Sequence, residues 1–323
     1  AETPEQGIAK HLSAAQSSGD SFARKNAICE LGAMATSEAV AALKSLTSLD
    51  DPKLRLAVAQ ALDRSRNLEA VDGLITLSKD ADPMVADRAI AGLKVMFLST
   101  DRDLVSMMTE AMLNAPDAER ARIEIIRAFA KVTNDVDRAE SAVIKVCETA
   151  FDDVATEAYK TLGEIGGAQA VAFLTEKISD DFSRNIGDMI RCANRIMARS
   201  QSPNETRLPA KDSDAMSGLA AAVADLLYDV DAEALPSVIA VLKTGKRYEA
   251  LPALIMLLRE EKSVARETVD ALQSITGQKI IADADAWQIW MQKKVNEDDD
   301  FKSVIGWDEN SVKIGRASCR ERV

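Results

Sequence analysis

The sequence predicts an all-α fold, a right-handed α-solenoid built from about eight pairs of short helices. Its 323 residues are 47 % hydrophobic but only 4 % aromatic. This composition suits short, closely packed helices better than a β-sheet, which favours aromatic and β-branched residues. In addition, a pattern for two amphipathic helices joined by a turn recurs at intervals of roughly 30 residues, and such a recurrence is the mark of a helical-repeat array.

The clearest copy of this helix pair is Asp50–Asp80, with the sequence DDPKLRLAVAQALDRSRNLEAVDGLITLSKD. Asp51-Pro52 predicts the start of its first helix, because Asp is a favoured N-cap residue and Pro is favoured at the first helical position. Asn67 predicts the start of the second helix. The next copy opens with Asp82-Pro83, 31 residues after Asp51-Pro52. The first helix presents one apolar face at helical spacing, formed by Leu54, Val58, Ala61 and Leu62.

The first helices of successive pairs are predicted to begin near Ser21, Pro52, Pro83, Asp117, Asp152, Phe182, Ala232 and Lys262. The steps between them are 30–35 residues long, except for the 50-residue step that follows Phe182. That step contains Ser200–Ser213, SQSPNETRLPAKDS, which has two prolines and no apolar periodicity. We therefore expect an insertion loop at 200–213, between the two helices of the sixth pair, and long loops of this kind are often functional.

These patterns resemble HEAT-like repeats, in the short form of about 30 residues found in many bacterial proteins. The resemblance covers roughly Ser21–Lys294 and implies an α-solenoid that binds other proteins. Tetratricopeptide repeats are the nearest alternative, but their Trp/Leu-Gly/Tyr pattern is missing from the helix pairs. The residues that carry the resemblance are Asp51-Pro52-x-Leu54-Arg55-x-Ala57, Asp82-Pro83-x-Val85, and the Leu162-Gly163-x-Ile165-Gly166 turn followed by Ala170-Val171-x-x-Leu174.

The last pair carries a signature of its own, Thr276-Gly277-Gln278, then Asp283, then Trp287-x-x-Trp290. It resembles the closing segment of a group of bacterial HEAT-repeat proteins. Gly277 can end one helix, Asp283 or Asp285 can cap the next, and the two Trp side chains then share one helix face. We expect a structural cap at 276–295, with Gly277, Trp287 and Trp290 covering the last apolar surface. Stacking of a ligand on the two Trp rings is the alternative.

The predicted solenoid occupies residues 20–295, and the segments outside it differ in character. Residues 1–19 form an N-terminal polar segment, and residues 296–313 an acidic linker or truncated continuation. The final residues 314–323, IGRASCRERV, look like the translation of a common sequencing adapter and are interpreted as an artefact. The first residue is Ala1, as in a signal-cleaved start or a gene fragment. The sequence is therefore compatible with a cytoplasmic protein, or with an extracytoplasmic one if Ala1 follows a cleaved signal peptide.

No catalytic, cofactor-binding or metal-binding motif is found. The chain has a single histidine, His11, so His-dependent triads and H-E-x-x-H zinc sites are excluded, as is the paired His-Glu iron site of HEAT-type deoxyhypusine hydroxylases. Cys29, Cys147 and Cys192 have no C-x-x-C spacing and are expected to be small buried hydrophobes. The net charge of −12 argues against nucleic acid as a partner, and no apolar run is long enough for membrane insertion.

One charged pattern is a candidate for partner binding, and we call it the arginine strip. It consists of helix residues Arg184, Arg191, Arg195 and Arg199, together with Arg207 and Lys211 of the insertion loop. Such a basic surface can receive an acidic segment of a protein partner. The alternative is a solvated helix face, with Asp188 paired to the neighbouring arginines.

The sequence thus predicts a monomeric, non-catalytic scaffold for protein–protein interaction, without a cofactor. Two alternatives stay open. One is a HEAT-like enzyme or accessory factor resembling bilin lyases or DNA glycosylases. The other is a structural spacer within a larger protein.

Overall fold

The computed structural model describes residues 3–96, 105–106, 109–110, 118–133, 135–180, 185–210, 213–227 and 229–305. All regular elements within these ranges are helical, which confirms the prediction of an all-α fold. None of the helices in these ranges is both long and apolar enough to cross a membrane.

In chain order, the described α-helices are α1 (Pro4–Ser17), α2 (Ser21–Met34), α3 (Ser37–Ser45), α4 (Pro52–Ser65), α5 (Val71–Ser78), α6 (Pro83–Met96), α7 (Glu119–Phe129), α8 (Val136–Thr149), α9 (Asp152–Ile165), α10 (Ala168–Ser179), α11 (Ile186–Arg199), α12 (Asp214–Asp225), α13 (Leu235–Gly245), α14 (Leu251–Glu260), α15 (Ala265–Thr276), α16 (Ala284–Glu297) and α17 (Asp299–Val304). Single 3₁₀ turns precede α5, α14 and α15.

The helices group into two compact units, Ala1–Thr161 and Leu162–Val323. In the first unit, α2 packs on α4, α4 on α6 and α6 on α7, while α3 packs on α5 in a second layer. In the second unit, α11 packs on α13 and α13 on α15, while α10 packs on α12 and α14 on α16. Each unit therefore has the two-layer stack of helix pairs that defines an α-solenoid.

Helix α4 shows why the repeat forms where it does. The Asp51 side chain accepts a hydrogen bond from the Lys53 amide at 2.8 Å, and Pro52 is the first helical residue. The helix ends at Ser65, and its C-cap residue, Arg66, has a left-handed φ of 50°. Asn67 then caps the 3₁₀ turn that leads into α5. The apolar face predicted from the sequence is almost wholly inaccessible to solvent, and it comprises Leu54, Val58, Ala61 and Leu62.

Small residues allow adjacent first helices to come close together. A Cβ atom on Gly32 of α2 would lie 2.8 Å from the Ala61 Cα atom of α4. One on Gly92 of α6 would lie 3.1 Å from the Asp63 Cβ atom of α4. Helices that approach with so little space between their backbones are held in one register.

Four first helices, α2, α4, α6 and α9, begin at the residues predicted from the sequence. Of the other four predicted starts, two are offset from the observed helix and two cannot be compared with it. Ala232 precedes α13 by three residues, and Lys262 opens the 3₁₀ turn before α15. Asp117 and Phe182 lie outside the described residues.

The N-terminal segment contains a helix, α1, that the sequence interpretation did not include. Its start is a capping box, in which the Thr3 hydroxyl accepts from the Gln6 amide while the Gln6 side chain accepts from the Thr3 amide. Helix α1 packs on α2 and α3, and it carries His11. The polar composition of residues 1–19 therefore reflects the exposed face of a docked helix.

The segment after α16, expected to be an acidic linker or truncated continuation, begins with a short helix. Asp298 caps the short helix α17 by accepting from the Phe301 amide at 2.9 Å. Phe301 and Ile305 are buried, and α17 packs on α16. In the sequence, the acidic run at residues 297–300 draws attention away from this apolar anchor. The resemblance of 314–323 to a sequencing adapter concerns residues outside the described ranges.

Candidate functional site

Helix α11 carries three of the six residues of the arginine strip, Arg191, Arg195 and Arg199, and is strongly amphipathic. Its buried face includes Met189, Ile190, Ala193 and Met197, and Ile186 at its start is half-buried. Arg191 and Arg195 are exposed on the other side. The two remaining ends of the strip, Arg184 and Lys211, lie outside the described residues. The structure thus describes four of the six strip residues.

Arg191 and Arg195 make different local contacts. The Arg191 guanidinium forms an ion pair with Asp188 of the same helix at 2.9 Å, as in the alternative reading of the strip. The aliphatic part of Arg195 lies against Gly163 of α9, where an added Cβ atom would meet Arg195 Cδ at 3.0 Å. The aliphatic part of the Arg195 side chain therefore packs on α9, although Arg195 is exposed overall.

Arg199 and Arg207 bind the carboxyl end of helix α9. Arg199 Nη1 donates to the Gly166 carbonyl at 2.9 Å and to the Gly163 carbonyl at 3.2 Å. Arg207 Nη1 donates to the Ile165 carbonyl. The last carbonyls of a helix lack partners within the helix and carry partial negative charge, so two guanidinium groups are well suited to this place.

The described part of the insertion loop, residues 200–210, is tied to the same arginines. Glu205 accepts from Arg199 Nη2 at 2.7 Å and from the Arg207 amide at 3.0 Å. Burial acts to raise the pKa of Glu205, but these hydrogen bonds outweigh it and hold that pKa below the usual value. Leu208 is buried beside them. This loop is therefore fastened to α9 by hydrogen bonds and by one apolar anchor.

The tryptophans of the closing segment lie in a chain of edge-to-face aromatic contacts. Trp287 is fully buried and donates its indole N–H to the Ile281 carbonyl at 3.1 Å. Its ring centroid lies 5.9 Å from that of Trp290, which lies 6.1 Å from Phe301. Gly277, with φ of 71°, ends α15, and Asp283 caps α16. With Trp287 buried, little of this pair of rings is open for a stacking ligand.

The three cysteines within the described ranges differ in burial. Cys147 and Cys192 are buried, as expected, whereas Cys29 is half-buried. Burial raises the pKa of the Cys192 thiol well above its usual value, because the thiolate would lose its hydration. In the described ranges, no group of His, Cys, Asp and Glu side chains could hold a metal ion.

A cleft in the first unit was not anticipated from the sequence, and we call it the α4–α6 cleft. Its volume is about 510 Å³, and it is lined by Gln60, Asp63, Arg64, Arg66 and Arg88. Asp63 is paired with Arg88 Nη2 across the two helices. The two arginines in Arg64-Ser65-Arg66, at the end of α4, are the only sequence feature that could have indicated this basic cleft. That they lie near Arg88 depends on how the helices pack.

The stacked helix pairs define the class of the protein as an α-solenoid. Residues 8–94 match the family model for HEAT repeats. This match confirms the prediction of HEAT-like repeats for the part of the chain from α2 to α6. No curated protein matches the chain.

Solved structures to which the chain is similar include the archaeal HEAT-like repeats protein from Thermococcus onnurineus NA1. It is 14 % identical with a TM-score of 0.44, and the alignment covers 74 % of this chain and 97 % of that one. An engineered protein solved by a structural genomics consortium is 17 % identical with a TM-score of 0.43, over 93 % of this chain and 87 % of that one.

Proposed function

We propose that this chain is a non-catalytic scaffold that binds another protein through the exposed surface of its helix pairs. The observation that carries the proposal is the match of residues 8–94 to HEAT repeats, together with the same two-layer stacking of helices in both units. Stacked repeats of this kind present extended surfaces on which a partner chain can lie.

Within the arginine strip, we propose that some residues contact the partner and that others support the surface. Arg191 and Arg195 are the exposed cations on α11, and they would contact an acidic segment of the partner. Arg199 and Arg207 have their guanidinium groups engaged with α9 and the loop, so they would support this surface rather than touch the partner. Arg184 and Lys211 extend the strip in the sequence at its two ends.

Affinity capture from the native lysate tests the proposal, with the wild-type chain compared with Arg191→Glu/Arg195→Glu. We expect one or more proteins to be captured by the wild type and lost with the double variant. The matched control is Lys53→Glu/Arg120→Glu, which makes the same change of charge at exposed positions of the first unit. Capture that is equal in all three proteins would contradict the role of the strip, and capture of nothing would contradict the scaffold.

A further inference from the structure

The α4–α6 cleft has the features of a second binding site, separate from the arginine strip. We propose that it binds an acidic peptide segment, whose carboxylate side chains contact Arg64, Arg66 and Arg88. This inference rests on the proposed protein-binding function, because it names the chemistry of the partner at one defined place.

The charge of the cleft is opposite to that of the chain as a whole. Three arginines and one carboxylate line it, in a protein whose net charge is −12. Arg64 and Arg66 are exposed, and their side chains have no ion pair or hydrogen bond among the described residues. Unlike Arg199 and Arg207, which are engaged with the protein itself, these two guanidinium groups are available to bind carboxylates, for which their planar donors are well matched.

Two polar atoms at this cleft lack partners within the described residues. Asp63 is only 7 % exposed, and while its Oδ2 atom is paired with Arg88 Nη2, its Oδ1 atom has no hydrogen bond. Arg88 Nε is likewise buried and unpaired. Unpaired buried groups of this kind are uncommon in folded proteins, since each has lost its hydration without a replacement.

The two unpaired atoms need ligand groups of opposite kinds. Asp63 Oδ1 needs a donor, and Arg88 Nε needs an acceptor. A peptide with acidic side chains supplies both, because its backbone N–H groups donate and its carboxylates accept. Inorganic phosphate or a nucleic acid backbone offers chiefly acceptors, so either would serve Arg88 Nε and leave Asp63 Oδ1 without a donor.

The position of the lining groups is set by packing that is already in place. Gly92 of α6 allows close contact with Asp63, and the backbone turns sharply at Arg66 because its φ is left-handed. The Arg88 side chain is 38 % exposed while it pairs with Asp63, so an incoming carboxylate can approach it from the solvent side. A site whose backbone is fixed in this way loses little entropy when it binds.

The test uses the full chain and a fluorescein-labelled, N-acetylated, C-amidated peptide of alternating Glu and Gly. Its counterpart has Gln in place of Glu, and binding is measured by fluorescence anisotropy. We expect the Glu peptide to bind, with an affinity that falls as salt is raised, and the Gln peptide to bind about tenfold more weakly or not at all. Arg64→Gln/Arg66→Gln should weaken binding of the Glu peptide about tenfold, since each guanidinium contributes one charge-assisted contact.

The matched control is Lys53→Gln/Arg120→Gln, which removes the same charge from exposed positions of the first unit. Its affinity for the Glu peptide should equal that of the wild type. Equal losses in the two double variants, or equal competition by inorganic phosphate and by free Glu peptide, would overturn the proposal in favour of nonspecific anion binding.

Hydrogen exchange on the wild-type chain gives a second readout that does not depend on a variant. Saturating Glu peptide should slow exchange at the last turn of α4 and in α6, and unchanged exchange there would overturn the proposal.

The failure of this proposal can be distinguished from the failure of the proposed scaffold function. Partner capture without peptide binding contradicts only the cleft, whereas peptide binding without any captured partner contradicts the scaffold and leaves the chemistry of the cleft supported.

Discussion

Arg55 and Asp80 form a two-bond ion pair that closes the Asp50–Asp80 repeat. Arg55 Nε lies 2.6 Å from Asp80 Oδ2, and Arg55 Nη2 lies 2.8 Å from Asp80 Oδ1. Arg55 Nη1 also donates to the carbonyls of Leu49 and Asp50. The side chains of the pair are only 16 % and 7 % exposed. A single guanidinium thus joins the loop before α4 to the loop after α5.

Replacing Arg55 should destabilise the repeat. Arg55→Ala leaves the Asp80 carboxylate buried without its partner, for which we expect a loss of about 3 kcal/mol in the free energy of unfolding. The measurement is urea unfolding of the full chain followed by far-ultraviolet circular dichroism. Arg64→Ala, in the same helix but exposed, is the control and should change the free energy by less than about 0.5 kcal/mol. Similar losses in the two variants would contradict a structural role for the ion pair.

The same pair predicts how stability depends on pH. The hydrogen bonds from Arg55 lower the pKa of Asp80, more than burial raises it. A carboxyl group whose pKa is lower in the folded state stabilises the fold above its unfolded pKa of about 3.9, and this contribution is lost as the pH falls through the folded pKa. The gap in stability between wild type and Asp80→Asn should therefore be largest near neutral pH and should narrow below about pH 4.

The control for that titration is Asp72→Asn, which removes an exposed carboxylate paired with Lys44. Exposed pairs contribute about 0–1 kcal/mol, so the gap from wild type should be small at every pH. A gap for Asp80→Asn that stays constant down to about pH 2 would show that the ionised carboxylate is not what stabilises the repeat.

Gly32 provides a test of the close packing between repeats. In Gly32→Ala the new Cβ atom would lie 2.8 Å from the Ala61 Cα atom, so the helices must move apart. We expect a loss of about 1–2 kcal/mol, because overpacking outweighs the gain in helix propensity. Gly19→Ala is the control, since nothing lies within 4 Å of its new methyl group. Thermal unfolding should show a lower midpoint for the first variant only.

Local chemistry made the helix starts predictable from the sequence. An N-cap such as Asp51 and the proline after it are adjacent in the chain and act on the backbone beside them. The same reasoning could have found α1, since Thr3 and Gln6 form a capping box. Helix α17 was hidden because its acidic residues resemble a solvated linker, although Phe301 is the apolar anchor among them.

The candidate sites were less predictable because they depend on contacts between helices. Helical spacing placed the arginines of α11 on one face, but it could not show that Arg199 reaches the carbonyl of Gly166, 33 residues away in the chain. The pairing of Asp63 with Arg88 likewise depends on how α4 packs against α6. Periodicity identifies the face on which a residue lies, whereas the partner of that residue is set by the neighbouring repeat.

Arg199 should control the order of the insertion loop. Arg199→Ala removes the bonds to the carbonyls of Gly163 and Gly166 and the ion pair with Glu205. We expect faster cleavage within residues 200–210 during limited proteolysis, read by mass spectrometry, because loop opening is then easier. Arg191→Ala is the matched control on the same helix, since its ion pair is local and exposed. Equal cleavage rates in both variants would contradict the proposed fastening of the loop.

Trp287 should stabilise the end of the second unit far more than its exposed neighbour Ile289. Trp287→Ala would leave a large cavity beside Trp290 and is expected to cost about 3–5 kcal/mol. Trp287→Phe keeps much of the apolar volume and loses the hydrogen bond to the Ile281 carbonyl, so its cost should be nearer 1 kcal/mol, as is usual for one such bond.

Ile289→Ala is the control for these variants. Ile289 is 69 % exposed, so its replacement should change the free energy of unfolding by less than about 0.5 kcal/mol. Urea unfolding followed by far-ultraviolet circular dichroism avoids the change in Trp fluorescence. A cost for Trp287→Ala as small as that for Ile289→Ala would show that the tryptophan does not act as a cap, and would return attention to ligand stacking.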